Sequence, residues 1–177
     1  MSHDEFMKQQ YLTLRDEIRC GKARNFWLVI FGTLLVPAAG LLTTMYGGFF
    51  ATATLPFVVL VIMLAFVAEQ NDILRAGRYL REHVEPTIEG VTGWEKWLES
   101  HARLRGADRV FFGSFVIIFT LLYALSTRTA LQALADQTPG ELREQFFTYG
   151  VIGYIVGGVW FFIVLIRHWQ SCTTTRG

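Results

Sequence analysis

Four stretches of this chain contain no charged residue, and they constrain its fold more than any other feature. They cover residues 26–48, 49–68, 110–127 and 146–166. Each is close to the roughly 20 residues that a helix needs to cross the hydrocarbon core of a bilayer. Backbone groups in lipid must pair within their own segment, and the stretches lack the two-residue alternation of a barrel strand. The sequence therefore predicts four transmembrane helices.

The composition agrees with a membrane protein. Of the 177 residues, 52% are hydrophobic and 18% are charged, and the mean hydropathy is +0.34. A soluble domain would carry about a quarter charged residues. We expect an all-α membrane protein with an amphipathic N-terminal helix and a helical loop between the second and third transmembrane helices.

The distribution of basic residues predicts the orientation. Fourteen of the sixteen Lys and Arg residues lie in 1–25, 69–109 and 167–177, while Arg128 and Arg143 lie in the segment 128–145. Because cytoplasmic loops are enriched in Lys and Arg, we expect a multi-pass protein with both termini in the cytoplasm. The predicted parts are a cytoplasmic helix (1–25), a transmembrane hairpin (26–68), a cytoplasmic loop (69–109), two further transmembrane helices (110–167) with an external segment (128–145), and a cytoplasmic tail (168–177).

The N-terminal region reads as an amphipathic helix. Ser2 and Glu5 have the spacing of a capping box. No proline occurs before Pro37, so we expect the helix to continue into the first apolar run. Its apolar stripe packs either on the chain's own cytoplasmic loop or against another subunit as a short coiled-coil seam. The stripe recurs at steps of four, three and four residues: Met7, Tyr11, Leu14 and Ile18.

Prolines predict where the helices bend or end. Pro37 and Pro56 lie inside apolar runs and should kink those helices, with the freed carbonyls paired by neighbouring helices and Thr hydroxyls. Pro86 should end the second helix near His83 or Val84.

A basic region follows the second apolar run. It can meet anionic lipid headgroups, or it can bind a signal such as a nucleotide, a nucleic acid or an acidic soluble partner. Two nearby tryptophans suit either the headgroup region or a small cytoplasmic core. The residues of this predicted ligand or partner site are Arg75, Arg78, Arg81, Arg103, Arg105, Trp94 and Trp97.

The polar segments contain no recognisable catalytic or metal-binding pattern. Glu69 and Asp72 lie three residues apart, but no histidine joins them on one helical face, and ExxH, HExxH and GxxxxGK[ST] motifs are absent. Cys20 and Cys172 should be unpaired thiols on the reducing side. We therefore predict no metal, no cofactor and no enzymatic activity. A lipid-acting enzyme using His83 and Asp72 is the weaker alternative.

The last helix should begin near Pro139, because Thr138 can cap it and Glu141 lies at N3. Gly150, Gly153 and Gly157 then share one helical face. Small residues let helices approach closely in lipid. The sequence predicts a tight contact there, either inside the bundle or between subunits.

Three segments carry a resemblance to a known group. "YLTLRDEIRCGKARNFWL", "NDILRAGRYLREHVEP" and "GWEKWLE" resemble a group of small bacterial four-helix integral membrane proteins that mostly lack an assigned activity. In layout the chain is also similar to membrane subunits of antiphage defence systems, which act as sensors or channel-forming effectors beside a soluble partner. The resemblance implies the bacterial inner (plasma) membrane.

The expected function is a non-enzymatic, homo-oligomeric membrane component of this defence type, an effector or a sensor. Its most concrete version is a pore gated from its cytoplasmic face. The alternative is an anchor or scaffold for a soluble enzyme, without conduction. A pore would need several subunits, because four uncharged helices leave little room for an aqueous path. Its lining could use the hydroxyls of the apolar runs: Thr33, Thr43, Thr52, Ser114, Thr120 and Ser126.

Overall fold

The computed structural model describes residues 3–46, 48–87, 102–137 and 140–173, and these ranges contain helices and no strand. This confirms the predicted all-α class. The main helices are α1 (His3–Tyr46), α2 (Phe49–Tyr79), α3 (Ala102–Gln137) and α4 (Gly140–Thr173). A π-helical turn (Leu80–Val84) and a 3₁₀ turn (Glu85–Thr87) follow α2.

All four main helices are long and apolar enough to cross a membrane. The candidate spans lie within Glu5–Thr43, Phe50–Thr87, Val110–Asp136 and Glu144–Gln170. The most apolar window of the second span is 44% buried, against 11%, 17% and 11% for the first, third and fourth. The rest of the chain therefore covers α2 most, while the other helices expose long apolar faces.

The N-terminal helix continues directly into the first apolar run, as predicted. α1 extends over 44 residues, with Pro37 inside it. Pro56 likewise lies inside α2. At the other end of the chain, α3 continues to Gln137 and α4 begins at Gly140, so most of the segment 128–145 is helical. Thr138 and Pro139, the predicted cap of α4, lie outside the described residues.

The end of α2 differs in detail from the prediction. α-Helical geometry stops at Tyr79, and the backbone N–H of Glu85 bonds to the carbonyl of Leu80, five residues earlier. Leu80 and Val84, at the two ends of this turn, are both in the interior. His83 stays exposed and stacks on Tyr79, with ring centroids 4.9 Å apart. Pro86 lies in the 3₁₀ turn that follows.

The chain divides into two compact units. The polar unit comprises Met1–Trp27 and Ala68–Ser114, and the apolar unit comprises Leu28–Val67 and Phe115–Gly177. The apolar unit contains an aromatic stack in which Phe115 lies between Phe66 and Phe119, at centroid distances of 3.6 and 4.3 Å. Phe66 and Phe119 are fully buried. Such close ring contacts stabilise the unit through van der Waals packing.

The three glycines of α4 lie against other helices of the apolar unit. A Cβ at Gly150 would lie 2.6 Å from Leu134 Cδ1 of α3. A Cβ at Gly153 would lie 3.3 Å from Phe57 Cζ, and one at Gly157 would lie 2.5 Å from Leu60 Cδ1. The glycine face therefore makes its close contacts inside the chain, which is the first of the two alternatives that the sequence leaves open.

Candidate ligand and partner site at the basic end of α2

The polar unit is built on an antiparallel pair formed by the first part of α1 and the last part of α2. Gln10 Nε2 donates to the Tyr79 hydroxyl at 3.0 Å. Farther along α1, Gly21 lies against Ile73, where a Cβ would come within 2.9 Å of Ile73 Cγ1. Positions that rise along α1 therefore meet positions that fall along α2. This pairing fixes which side of α2 remains open.

The predicted apolar stripe of α1 is covered by this pairing. Ile18, Leu80 and Val84 form a buried cluster, and partly buried side chains surround it. These contacts are the intramolecular alternative, and the inter-subunit seam therefore plays no part in the function proposed below. The surrounding side chains are Met7, Tyr11, Leu14, Ile73 and Ala76.

A salt bridge joins the two helices where the apolar runs begin. Arg24 donates from Nε to Glu69 Oε1 and from Nη2 to Glu69 Oε2, each at 2.9 Å. The Glu69 side chain is 23% exposed, and that of Arg24 is 56% exposed. A two-pronged guanidinium–carboxylate pair fixes direction as well as distance. Glu69 is therefore engaged as a structural partner of α1.

The three arginines of α2 differ in their surroundings. Arg75 is largely exposed and pairs with Asp72, one turn earlier. Arg78 is also exposed. Arg81, in the π-helical turn, bonds to Glu82 at 3.0 Å and keeps only 24% of its side chain exposed. Arg75 and Arg78 thus form the accessible part of the predicted basic site.

For the tryptophans and the α3 arginines of the predicted site, the structure gives less detail. Arg103 and Arg105 lie in the first turns of α3. Trp94 and Trp97 lie outside the described residues. The structure therefore brings Arg75 and Arg78 together on α2, and the remaining members belong to the site only as sequence-based expectations.

The polar unit contains a buried amide that the sequence patterns did not predict. Asn25 is 3% exposed, and neither its Oδ1 nor its Nδ2 has a hydrogen-bond partner. It continues the spacing of the α1 stripe, because Ile18, Gly21 and Asn25 follow one another at steps of three and four and all three are buried. Neither Gly21 nor Asn25 is a large apolar residue, so an apolar pattern does not reveal them.

Acidic, histidine and cysteine side chains stay apart within the ranges that the structure describes, where no three of them could hold one metal ion. Asp72 is paired with Arg75, and His83 stacks on Tyr79. No protein-family model, curated protein or solved structure matches this chain, so no ligand or reaction is carried over from another protein.

Proposed function

We propose that this protein is a non-enzymatic, homo-oligomeric component of the bacterial inner membrane that receives a signal on its cytoplasmic face. Its most specific form is a gated pore of the antiphage-defence effector type. The signal is an anionic ligand, such as a nucleotide or nucleic acid, or an acidic soluble protein. The proposal places both termini and the polar unit in the cytoplasm.

One observation carries this proposal: α2 combines the accessible arginines with the most buried apolar window of the four candidate spans. The helix runs from Phe49 to Tyr79 and carries Arg75 and Arg78 in its last turns. Its apolar window is 44% buried, while those of α1, α3 and α4 are at most 17% buried. A displacement at the basic end of such a helix is expected to disturb the packing around its apolar part.

The exposed faces of the other helices support an assembly of several copies. One chain with four uncharged spans offers little space for water, so conduction requires several subunits. The hydroxyls proposed to line a pore differ in their exposure, and Thr43 and Thr120 are intermediate. Thr52 and Ser126 are buried and bond to backbone carbonyls at 3.1 and 3.0 Å, whereas Thr33 and Ser114 are exposed. Thr33 and Ser114 are therefore the better candidates for a lining.

Ion flux across liposomes tests the proposal. Purified protein is reconstituted in liposomes loaded with an ion-sensitive dye, and nucleotides, short nucleic acids or the products of neighbouring genes are added outside. Proteins oriented with the polar unit outward should then conduct. Arg75→Gln together with Arg78→Gln should weaken the response, because the exposed guanidinium groups supply the attraction for an anion.

Arg128→Gln is the matched control, because Arg128 is exposed on α3 and outside the basic site. It should leave the response unchanged. Absence of flux with every added molecule would exclude the pore. Recovery of the protein in a fixed stoichiometric complex with a soluble enzyme, without flux, would instead support the anchor alternative.

A further inference from the structure

The starting point is the proline turn of α2 in the apolar unit. Pro56 has no N–H, so the carbonyl of Thr52 loses its intrahelical donor, and the ring pushes the preceding turn aside. The Pro56 side chain is fully buried. The turn at Pro56 therefore faces other parts of the protein.

Tyr154 of α4 meets this turn on both sides of the proline. Its hydroxyl donates to the carbonyl of Ala53 at 2.7 Å. Its ring lies 5.2 Å from the ring of Phe57, centroid to centroid. Tyr154 itself is 3% exposed. The acceptor, Ala53, is the residue after Thr52, so the Tyr154 hydroxyl bonds beside the carbonyl that Pro56 leaves without a donor. Proline turns in hydrocarbon are tolerated where neighbouring helices supply such hydrogen bonds.

Tyr123 of α3 forms a hydrogen bond with Tyr154. The Tyr123 hydroxyl donates to the backbone carbonyl of Tyr154 at 2.5 Å. The Tyr123 ring lies beside Gly158, where a Cβ would be 3.4 Å from Tyr123 Cε1. Two tyrosine hydroxyls thus link α3 to α4 and α4 to the proline turn of α2.

We propose that Tyr154, supported by Tyr123, sets the angle of α2 at Pro56, and that loss of the Tyr154–Ala53 hydrogen bond lets residues 49–55 change direction relative to the rest of α2. Residues 49–55 precede the proline and are the part of α2 farthest along the helix from Arg75 and Arg78. The consequence for gating rests on the proposed function. The bend itself can be measured without any ion flux.

Distances between spin labels measure the bend directly. Cys20 and Cys172 are replaced by serine, and labels are placed at two exposed positions, Phe50 on α2 and Ile166 on α4. In nanodiscs, Tyr154→Phe should broaden or shift the Phe50–Ile166 distance distribution, because it removes the hydroxyl and keeps the ring. A second label pair, Val61 and Ile166, lies beyond the proline and should keep its distribution.

Two further variants separate the hinge from a general loss of packing. Tyr149→Phe removes an exposed hydroxyl from the same helix and should change neither distance. Pro56→Ala restores the missing N–H, so Tyr154→Phe should have a smaller effect in that background than in the native one. An unchanged Phe50–Ile166 distribution in Tyr154→Phe, or equal changes in both label pairs, would overturn the proposed hinge.

The two proposals can fail separately. If Tyr154→Phe alters the bend and no ligand or partner ever elicits flux, the hinge stands and the pore fails. If flux occurs and the Phe50–Ile166 distance does not respond to Tyr154→Phe, the pore stands and the hinge fails.

Discussion

Arg24 of α1 and Glu69 of α2 form two parallel hydrogen bonds of 2.9 Å across the polar unit. The pair joins residues that are 45 positions apart in the sequence. Both prongs must align for the contact to form, so it fixes the angle of α1 against α2 as well as their spacing. The exposed arginines Arg75 and Arg78 follow on α2, and their presentation depends on this alignment.

Disrupting this pair should loosen the polar unit. Arg24→Gln or Glu69→Gln is expected to lower the thermal unfolding midpoint in detergent by a few degrees, and the loss should shrink at high salt because much of the contact is exposed. Asp16→Asn should change the midpoint little, since Asp16 pairs with Arg19 on the outer surface of α1. The charge-reversed double variant Arg24→Glu, Glu69→Arg should recover part of the loss. Equal changes of the unfolding midpoint for Asp16→Asn and for the Arg24 and Glu69 variants would contradict a stabilising role of the Arg24–Glu69 pair.

The apolar unit should not tolerate a side chain at Gly32. A Cβ there would lie 2.5 Å from Phe119 Cζ and 3.1 Å from Ile62 Cγ2, so the buried aromatic stack would have to move. Gly32→Ala is expected to destabilise the protein by about 1–3 kcal/mol, as overpacking of a tight core does. Gly113→Ala is the matched control, because a Cβ at Gly113 meets nothing within 4 Å. Equal unfolding midpoints for the two variants would contradict the packing described here.

Replacing Asn25 by leucine should stabilise the protein. A buried polar group without a partner costs about 1–3 kcal/mol, and leucine removes both unpaired amide atoms at similar size. Asn25→Asp should act in the opposite direction, because it places a carboxylate in the same buried position. The thermal unfolding midpoints of the two variants in detergent test both expectations. A lower midpoint for Asn25→Leu would show that the amide has a polar partner, such as a bound water.

A methyl group at Gly157 should cost stability through Leu60. The Cβ would lie 2.5 Å from Leu60 Cδ1, so Gly157→Ala forces that side chain to move, and we expect a loss of about 1 kcal/mol. Gly158→Ala should be nearly neutral, since its closest contact would be 3.4 Å. In a Leu60→Ala background the cost of Gly157→Ala should fall, which a double-mutant cycle measures. An undiminished cost there, or a change in oligomer size alone, would place the glycine contact between subunits.

Sequence patterns were sufficient to predict the helices, because absence of charge over about 20 residues is a direct requirement of the bilayer. The continuity of α1 also followed from a local rule, since no proline interrupts it before Pro37. The end of α2 was harder to predict. Pro86 indicates that a helix stops nearby, but it does not indicate that the α-helical pattern gives way to a π-helical turn at Leu80.

The candidate site was only partly predictable. Arg75 and Arg78 stand out in the sequence because three arginines recur within one short polar segment. Arg24 and Glu69 are 45 residues apart in the sequence, and Tyr154 and Ala53 are 101 residues apart. Spacing rules applied to a single sequence do not predict contacts over such separations. Gly21 and Asn25 were missed because a stripe defined by apolar side chains passes over small and amide residues.

The π-helical turn at Leu80–Val84 affects how this segment should respond to a change in length. An α-helix would close the same backbone circuit with one residue fewer. Deleting a single residue there should convert the π-helical turn into an α-helical one and leave the residues downstream facing as they do now. A deletion within the regular part of α2 would instead rotate everything beyond it by about 100°. The segment should therefore tolerate the loss of one residue better than the rest of α2 does.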